Sequence, residues 1–393
     1  MTIKKVIRRT RGQSIFLIAW AMTFASLPAA HGDDGTQLTL VSDYFSQKAA
    51  EDPLVRDLIE PIAFEFHTSD QGGLSSDCDA QAAGECLSDC CVRPWWAHRT
   101  GIFAEFLLLR PGSTDLIYAV EQTDPDADVA SPTGPVGIVA IPEQGGFRTG
   151  FTLAASDCSS LLVSYARWDG STASGIEANF PYVLDSQVVH PSVDTSGASS
   201  LAASSYQKIS FQTVDLAYRH LWKASNTTAL NWLTGLRYGN IEQRSSTDQT
   251  LQTATGLTNV ATDIDFDGFG ITGGLDFERY HCRTGLSLYG KSMLSLLAGE
   301  WTADYEQVNQ FDGGVIANGI EDFRVTPVAE AELGLKWTCL EGRLSLHGGL
   351  LVSAWFDSMT TRSYIDGVRG GQIQDIDETM TFSGLTTGVA LRF

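Results

Sequence analysis

Six carboxylates and seven cations fall on the polar faces of alternating segments: Glu105, Asp215, Asp276, Glu278, Glu330 and Glu332 against Arg148, Arg219, Arg237, Lys291, Lys336, Arg343 and Arg392. Side chains alternate across a strand, so such positions gather on one surface. Their signs nearly balance. Two arrangements fit: they line a narrow aqueous channel, or they pair across an interior and fill it. His347 stands in the same pattern, near Ser345, Arg343 and Glu332. A nucleophilic reading of His347 with a serine needs both groups at an accessible surface with an orienting partner. A histidine held in an inward polar network fits its position better. His220 and His281 fall at turns.

Two further clusters invite a metal reading. Asp124-x-Asp126-x-Asp128 has part of a calcium-loop spacing but lacks the glycine and the closing glutamate, so it reads as a solvated acidic loop. Cys78, Cys86, Cys90 and Cys91 form Cys-x7-Cys-x3-Cys-Cys, which is not a zinc spacing and has no interleaved histidine. One or two disulfides in an oxidising compartment are the expectation there, with connectivity open. Cys158, Cys282 and Cys339 lie apart, each in a turn. No cofactor motif is present: no glycine-rich phosphate loop leads from a strand into a helix.

The elements that must position these groups are strands. Alternation picks out 101–110, 147–155, 160–168, 208–218, 229–241, 265–280, 285–299, 324–338, 342–356 and 380–393, about ten in all (eight to twelve). In 265–280, Phe269, Ile271, Leu275 and Phe277 share one face, and Gly270, Thr272, Asp276 and Glu278 the other. In 324–338, Ala329, Leu333, Leu335 and Trp337 oppose Glu330, Glu332 and Lys336. Strand 160–168 fits least well, because Leu161-Leu162-Val163 interrupts the alternation. The strands exceed the five or six residues usual in globular sheets.

Connections alternate in length. Long ones span 111–146, 169–207, 242–264, 300–323 and 357–379. Short ones span 156–159, 219–228, 281–284 and 339–341. That alternation is what a membrane barrel with short periplasmic turns and long outer loops predicts. Aromatics gather at both strand ends, as interfacial girdles would: Tyr218, Trp232, Phe277, Tyr280, Trp337 and Phe393 on the turn side, and Trp168, Tyr238, Phe269, Trp301, Trp355 and Phe382 on the loop side. The last strand runs to the terminal Phe393, with Gly388 and Leu391 completing an assembly signal for barrel-assembly machinery.

At the other end, Lys4, Lys5, Arg8, Arg9 and Arg11 precede an apolar run from Ile15 to Ala25 and then small residues. This reads as a signal peptide over 1–32, cleaved near Gly32. The run is shorter than the roughly 20 residues a spanning helix needs. Residues 33–98 alternate poorly and read as a cysteine-containing periplasmic extension, with Trp95-Trp96 marking arrival at a membrane interface. The barrel then occupies 99–393. Removing the five basic residues of the signal leaves 21 basic and 47 acidic residues, a net charge of −26 from the whole-chain −21. Such a surface argues against nucleic-acid binding.

The chain resembles the pore-forming outer-membrane family of the Legionella major outer-membrane protein. The resemblance lies in Phe103-Ala104-Glu105-Phe106-Leu107-Leu108-Leu109-Arg110-Pro111, Gly235-Leu236-Arg237-Tyr238, Gly270-Ile271-Thr272-Gly273-Gly274-Leu275, Pro327 to Lys336, and the last strand. It implies a porin-like barrel. Leu391 departs from the aromatic more usual at that position. The fold expected is thus all-β: a transmembrane antiparallel up-and-down barrel. Ten strands lie near the size at which side chains fill the interior, so any pore is narrow or gated. Acidic loops such as Asp124, Asp126 and Asp128 at its mouth favour small cations. The partners expected are outer-membrane lipid, the assembly machinery, and small solutes or cations. The alternative is a structural or adhesive surface barrel with a closed lumen and partner-binding loops. Neither reading is an enzyme.

Overall fold

The computed structural model describes residues 94–123, 131–191, 200–251, 257–310, 314–340, 342–373 and 376–393. All lie in one compact unit, Ser75–Phe393. The acidic triplet at 124–128 and Cys78, Cys86, Cys90 and Cys91 lie outside the described residues, as does the signal segment.

Ten strands close a ring: β1 (Gly101–Gly112), β4 (Gln144–Ser156), β5 (Ser159–Glu177), β7 (Ser200–Ala224), β8 (Thr228–Leu251), β9 (Leu257–His281), β10 (Leu286–Asn309), β11 (Val315–Cys339), β12 (Leu344–Ser358) and β13 (Glu378–Arg392). Each pairs antiparallel with its neighbours, and the first strand meets the last from Gly101↔Arg392 to Gly112↔Thr381. Closure leaves this ring no unpaired edge. The seam is locked further at the terminus, where Phe393 N donates to Thr100 O (2.8 Å) and Arg392 N to Arg343 O (2.7 Å).

The expected number of wall strands stands, but their lengths do not. Segments 242–264 and 300–323, expected as polar loops, are mostly strand. β8 to β11 run 24 or 25 residues each. On β9 and β10 the apolar face does not stop; it changes sides. On β9, Phe269, Ile271, Leu275 and Phe277 face outward, whereas Ile264 and Phe266 are fully buried inside. On β10, Leu294 and Leu296 are exposed, whereas Leu297, Trp301, Ala303 and Tyr305 are buried. The outward positions beyond the switch are acidic, for example Asp263, Asp265 and Asp267 on β9. On these two strands the lower part of the wall is built for lipid outside, and the upper part for water outside.

The other long connections also carry structure. Residues 111–146 hold β2 (Leu116–Gln122) and β3 (Pro132–Val139), a hairpin. Residues 169–207 hold β6 (Val183–Ser186), which joins β2 to β7. Residues 357–379 hold a helix, α1 (Thr361–Gly370). Its start is fixed by a reciprocal Thr360–Ser363 capping box and its end by Gly371 at φ 65°, the left-handed conformation that favours glycine. Thr361, Tyr364, Ile365 and Val368 form one buried face at helical spacing.

Of the girdle expected on the turn side, Tyr218, Phe277, Trp337 and Phe393 are exposed and Trp232 shares the outward face of its strand, whereas Tyr280 lies on the face of Asp276 and Glu278 and stacks on Trp95. On the loop side only Tyr238 and Phe269 are exposed. Trp168, Trp301, Trp355 and Phe382 are buried inside the barrel, because they lie above the point where the strand faces exchange roles. They form its densest packing: Phe266 stacks on Trp301 at 4.7 Å between ring centroids, and Phe382 sits edge-on to Phe211 at 4.8 Å. Strand β5 keeps its alternation after all. Leu161 and Val163 face outward and Leu162 is an apolar side chain on the inside. Cys158 and Cys282 sit in turns and are disulfide-bonded; Cys339 ends β11 as a free thiol.

Candidate functional site: the barrel lumen

The lumen has three levels. At the loop end, the side chains from the upper wall meet α1 and the segments around β2 and β6 in one apolar core. Polar bonds fasten these segments to the wall. Tyr364 OH donates to Ala303 O (3.0 Å) and Asn318 O (3.1 Å). Gln243 Nε2 donates to Met359 O (2.6 Å) and its Oε1 accepts from Thr361 N (3.2 Å). Arg369 donates to the carbonyls of Gln187 (2.8 Å), Val189 (3.1 Å) and Ser186 (3.2 Å), so the helix holds the β6 segment as well. Together these elements close the loop end.

The middle level is a belt of ion pairs that cross the interior. Arg237 on β8 is 2% exposed in its side chain and holds Asp215 on the adjacent β7 at 2.5 Å and Glu330 on β11 at 2.7 Å. Arg148 on β4 holds Glu105 on β1 and reaches Glu332 on β11 at 2.6 Å. Both arginines therefore join opposed parts of the wall, and their planar forks suit two carboxylates at once. Glu332 also accepts from Tyr289 OH (2.7 Å) and Thr386 Oγ1 (3.2 Å). His347 Nε2 lies 3.1 Å from Glu105 Oε1, which commits the histidine to the network. Gly388 leaves room for that pair: a Cβ there would come within 2.5 Å of Glu105 Cγ and 2.6 Å of His347 Cε1.

The third level is a chamber of about 200 Å³ at the turn end. Lys336 pairs with Glu278 across β10, and Arg219 with Asp276 at 2.9 Å. Residues 94–99 fold under it. His98 is buried, with Nδ1 2.8 Å from Ser160 Oγ and Nε2 3.0 Å from Asn231 Oδ1, and its backbone N donates to Asp157 O (2.8 Å). Burial, with Arg219 nearby, lowers its pKa to about 4, so it is neutral at pH 7. Trp95 stacks on Tyr280 at 5.1 Å and Trp96 lines the chamber. The tryptophan pair thus borders the chamber and does not sit on the outer wall. Trp95 is half-buried and held by Tyr280 and by Asn226 O (3.1 Å from its Nε1).

Of the lumen residues expected from sequence, Glu105, Arg148, Asp215, Arg219, Arg237, Asp276, Glu278, Glu330, Glu332, Lys336 and His347 are brought together in these pairs. Lys291 and Arg392 line the chamber. Arg343 does not belong: it is exposed in the turn ahead of β12, which begins two residues later than its alternation implied. His98 was missed, because the segment before β1 has no alternation to place it. In the assembly signal, Leu391 and Phe393 face outward and are exposed, while Gly388 serves the interior.

A closed antiparallel barrel with a lipid-facing apolar band and a charged lumen is an outer-membrane β-barrel. The family of the Legionella pneumophila major outer membrane protein precursor matches residues 93–393, and the chain belongs to that family. No curated protein matches it. Among solved structures, the translocator domain of the autotransporter NalP from Neisseria meningitidis is similar at 10% identity, covering 75% of this chain and 89% of that one, with a TM-score of 0.31. The transport unit of the autotransporter AIDA-I from Escherichia coli is similar at 10% identity over 79% and 95% of the two chains, with a TM-score of 0.25. The toluene transporter TodX from P. putida is similar at 7% identity over 75% and 90%, with a TM-score of 0.21.

Proposed function

We propose that this barrel is a narrow, gated outer-membrane pore for small solutes or ions, and not an enzyme, closed in the conformation described. The observation that carries the reading is the contrast between the two halves of its lumen. The upper half shows that this chain can fill a barrel with apolar side chains. The lower half is instead charged and holds a chamber. Buried ion pairs give no better stability than apolar packing of the same volume, so stability alone does not call for a charged interior. The closing elements are all borne on connections, not on the wall. Among the described residues, the upper outer wall carries Glu242, Asp263, Asp265, Asp267, Glu300 and Asp304, which enrich cations near the mouth. Asp124, Asp126 and Asp128 add to this field in our reading. Screening over about 8 Å makes the preference weaken as salt rises. Export through the 1–32 signal and insertion by the assembly machinery through Phe393 complete the proposal.

The test is planar-bilayer conductance of the purified mature chain, with and without destabilised docking of α1. Small cation-preferring openings that become more frequent when α1 is loosened are the expected result. No conductance from either form supports the other reading, a structural or adhesive surface barrel. The packing of the loop segments into one core favours that second reading.

A further inference from the structure

Among the described residues that line the turn-end chamber, cations outnumber carboxylates. Glu105 and Glu332 share Arg148, Glu278 is held by Lys336, and Asp276 by Arg219. Lys291 stands in register between Asp276 on β9 and Glu332 on β11, and both are committed elsewhere. Among the described residues, neither Lys291 nor Arg392 has a carboxylate within ion-pair distance, and both line the chamber. Two buried donors on the same lining also lack an acceptor: Arg219 Nε and Ser345 Oγ. A buried donor left unpaired is costly, and a buried cation more so. Among the described residues no side chain supplies the negatively charged acceptor that these donors call for.

We propose that the chamber binds a small oxyanion of the size and charge of phosphate. Its volume of about 200 Å³ has room for a phosphate with several waters. Several oxygens on one centre suit several donors on one lining: the ammonium of Lys291, the guanidinium of Arg392, and the unpaired Arg219 Nε–H and Ser345 Oγ–H. Trp96 and Phe103 on the lining keep the site partly dry, which strengthens each charged contact. The site also deepens the pore reading, and that link alone rests on it. A bound oxyanion neutralises Lys291 and Arg392, which otherwise oppose a cation at this end of the lumen.

Isothermal titration of inorganic phosphate into the full mature chain, folded in detergent at low salt and near neutral pH, tests the site. One saturable phosphate per barrel is expected, displaced by sulfate. Lys291→Gln and Arg392→Gln should each weaken it at least about tenfold, while Lys291→Arg and the exposed Arg343→Gln should keep it within about threefold. Heat-modifiable mobility on gels identifies folded protein. If Arg392→Gln fails to fold, the Lys291 pair still decides. No saturable binding by the folded wild type, or equal binding by Lys291→Gln, overturns the proposal. Binding without bilayer conductance would refute the pore and leave the site; conductance without binding would do the reverse.

Discussion

Replacing Tyr364 by alanine should undock α1. The ring is fully buried, and its hydroxyl donates to two wall carbonyls. Truncating a buried aromatic to alanine costs about 3–5 kcal/mol. The lost hydrogen bonds add about 1 kcal/mol, since Ala303 and Asn318 keep their places in the strand ladder and are not stranded. A conservative total is about 4 kcal/mol, close to a 1,000-fold rise in the opening constant of the helix. Exchange of the α1 backbone amides with deuterium, measured in detergent micelles, reads that constant directly when opening is local. Arg362→Ala is the control. Arg362 is half-exposed and meets Asp366 only at 3.9 Å, so its loss should stay within about 0.5 kcal/mol. Acceleration of less than about tenfold in Tyr364→Ala would refute the view that this ring anchors the helix. Faster exchange with unchanged, silent bilayers would show that the helix is anchored as described but does not gate conduction.

Arg148→Met should destabilise the folded barrel by about 3 kcal/mol in urea titrations, because Glu105 and Glu332, both nearly buried, lose their shared cation; a loss below about 1 kcal/mol would mean that lumen water screens the belt. Docking of residues 94–99 should be fully stable above about pH 6.5, where His98 is neutral in both states, and should weaken as pH falls toward 4, because the undocked ring binds a proton first. The total across that window is about 3 kcal/mol, read as protease access near Trp95; unchanged access between neutrality and pH 4.5 in the wild type would contradict it. Deleting Phe393 should lower the amount of barrel in the outer membrane without altering the lumen, and equal abundance would remove this residue from the assembly argument.

How much of this was legible in the sequence depends on which solvent each stretch meets. In the lower wall one solvent rule holds throughout, so strand number, the lipid-facing residues and the charged interior could all be read from alternation. Asp276 and Glu278 were placed inside simply because Ile271, Leu275 and Phe277 had to be outside. Pairing within the lumen was not legible: nothing in the spacing says that Arg237 reaches Glu330 three strands away and not a neighbour. Trp301 and Trp355 were put at a lipid interface because an aromatic at a strand end has two homes, and alternation gives its face only if the sign of that face is known. His98 and α1 were out of reach for a simpler reason. Each is held by tertiary contacts, and neither the 94–100 stretch nor the ten residues of α1 bear a period long enough to announce themselves.

The change of sign along β9 and β10 also explains why the molecule is closed where it is. A strand whose outer face turns acidic must leave the membrane there, since carboxylates on the lipid side are expensive. Once above the lipid, its inner face becomes the only place for apolar side chains. Ile264, Phe266, Leu297 and Trp301 then need something to pack on, and a ring of strands cannot supply a centre for itself. The connections supply it: Tyr364 and Ile365 from α1, Tyr118 from β2 and Val188 beyond β6 are all buried in that core. Closure of the loop end is therefore a consequence of extending the wall into water, not an addition to it. Any opening has to move these connections as a unit, because Arg369 ties α1 to the β6 segment through three carbonyls. A variant that cuts this tie, Arg369→Ala, should loosen the β6 segment together with the helix. Exchange that rises in α1 alone would mean the two close the barrel independently.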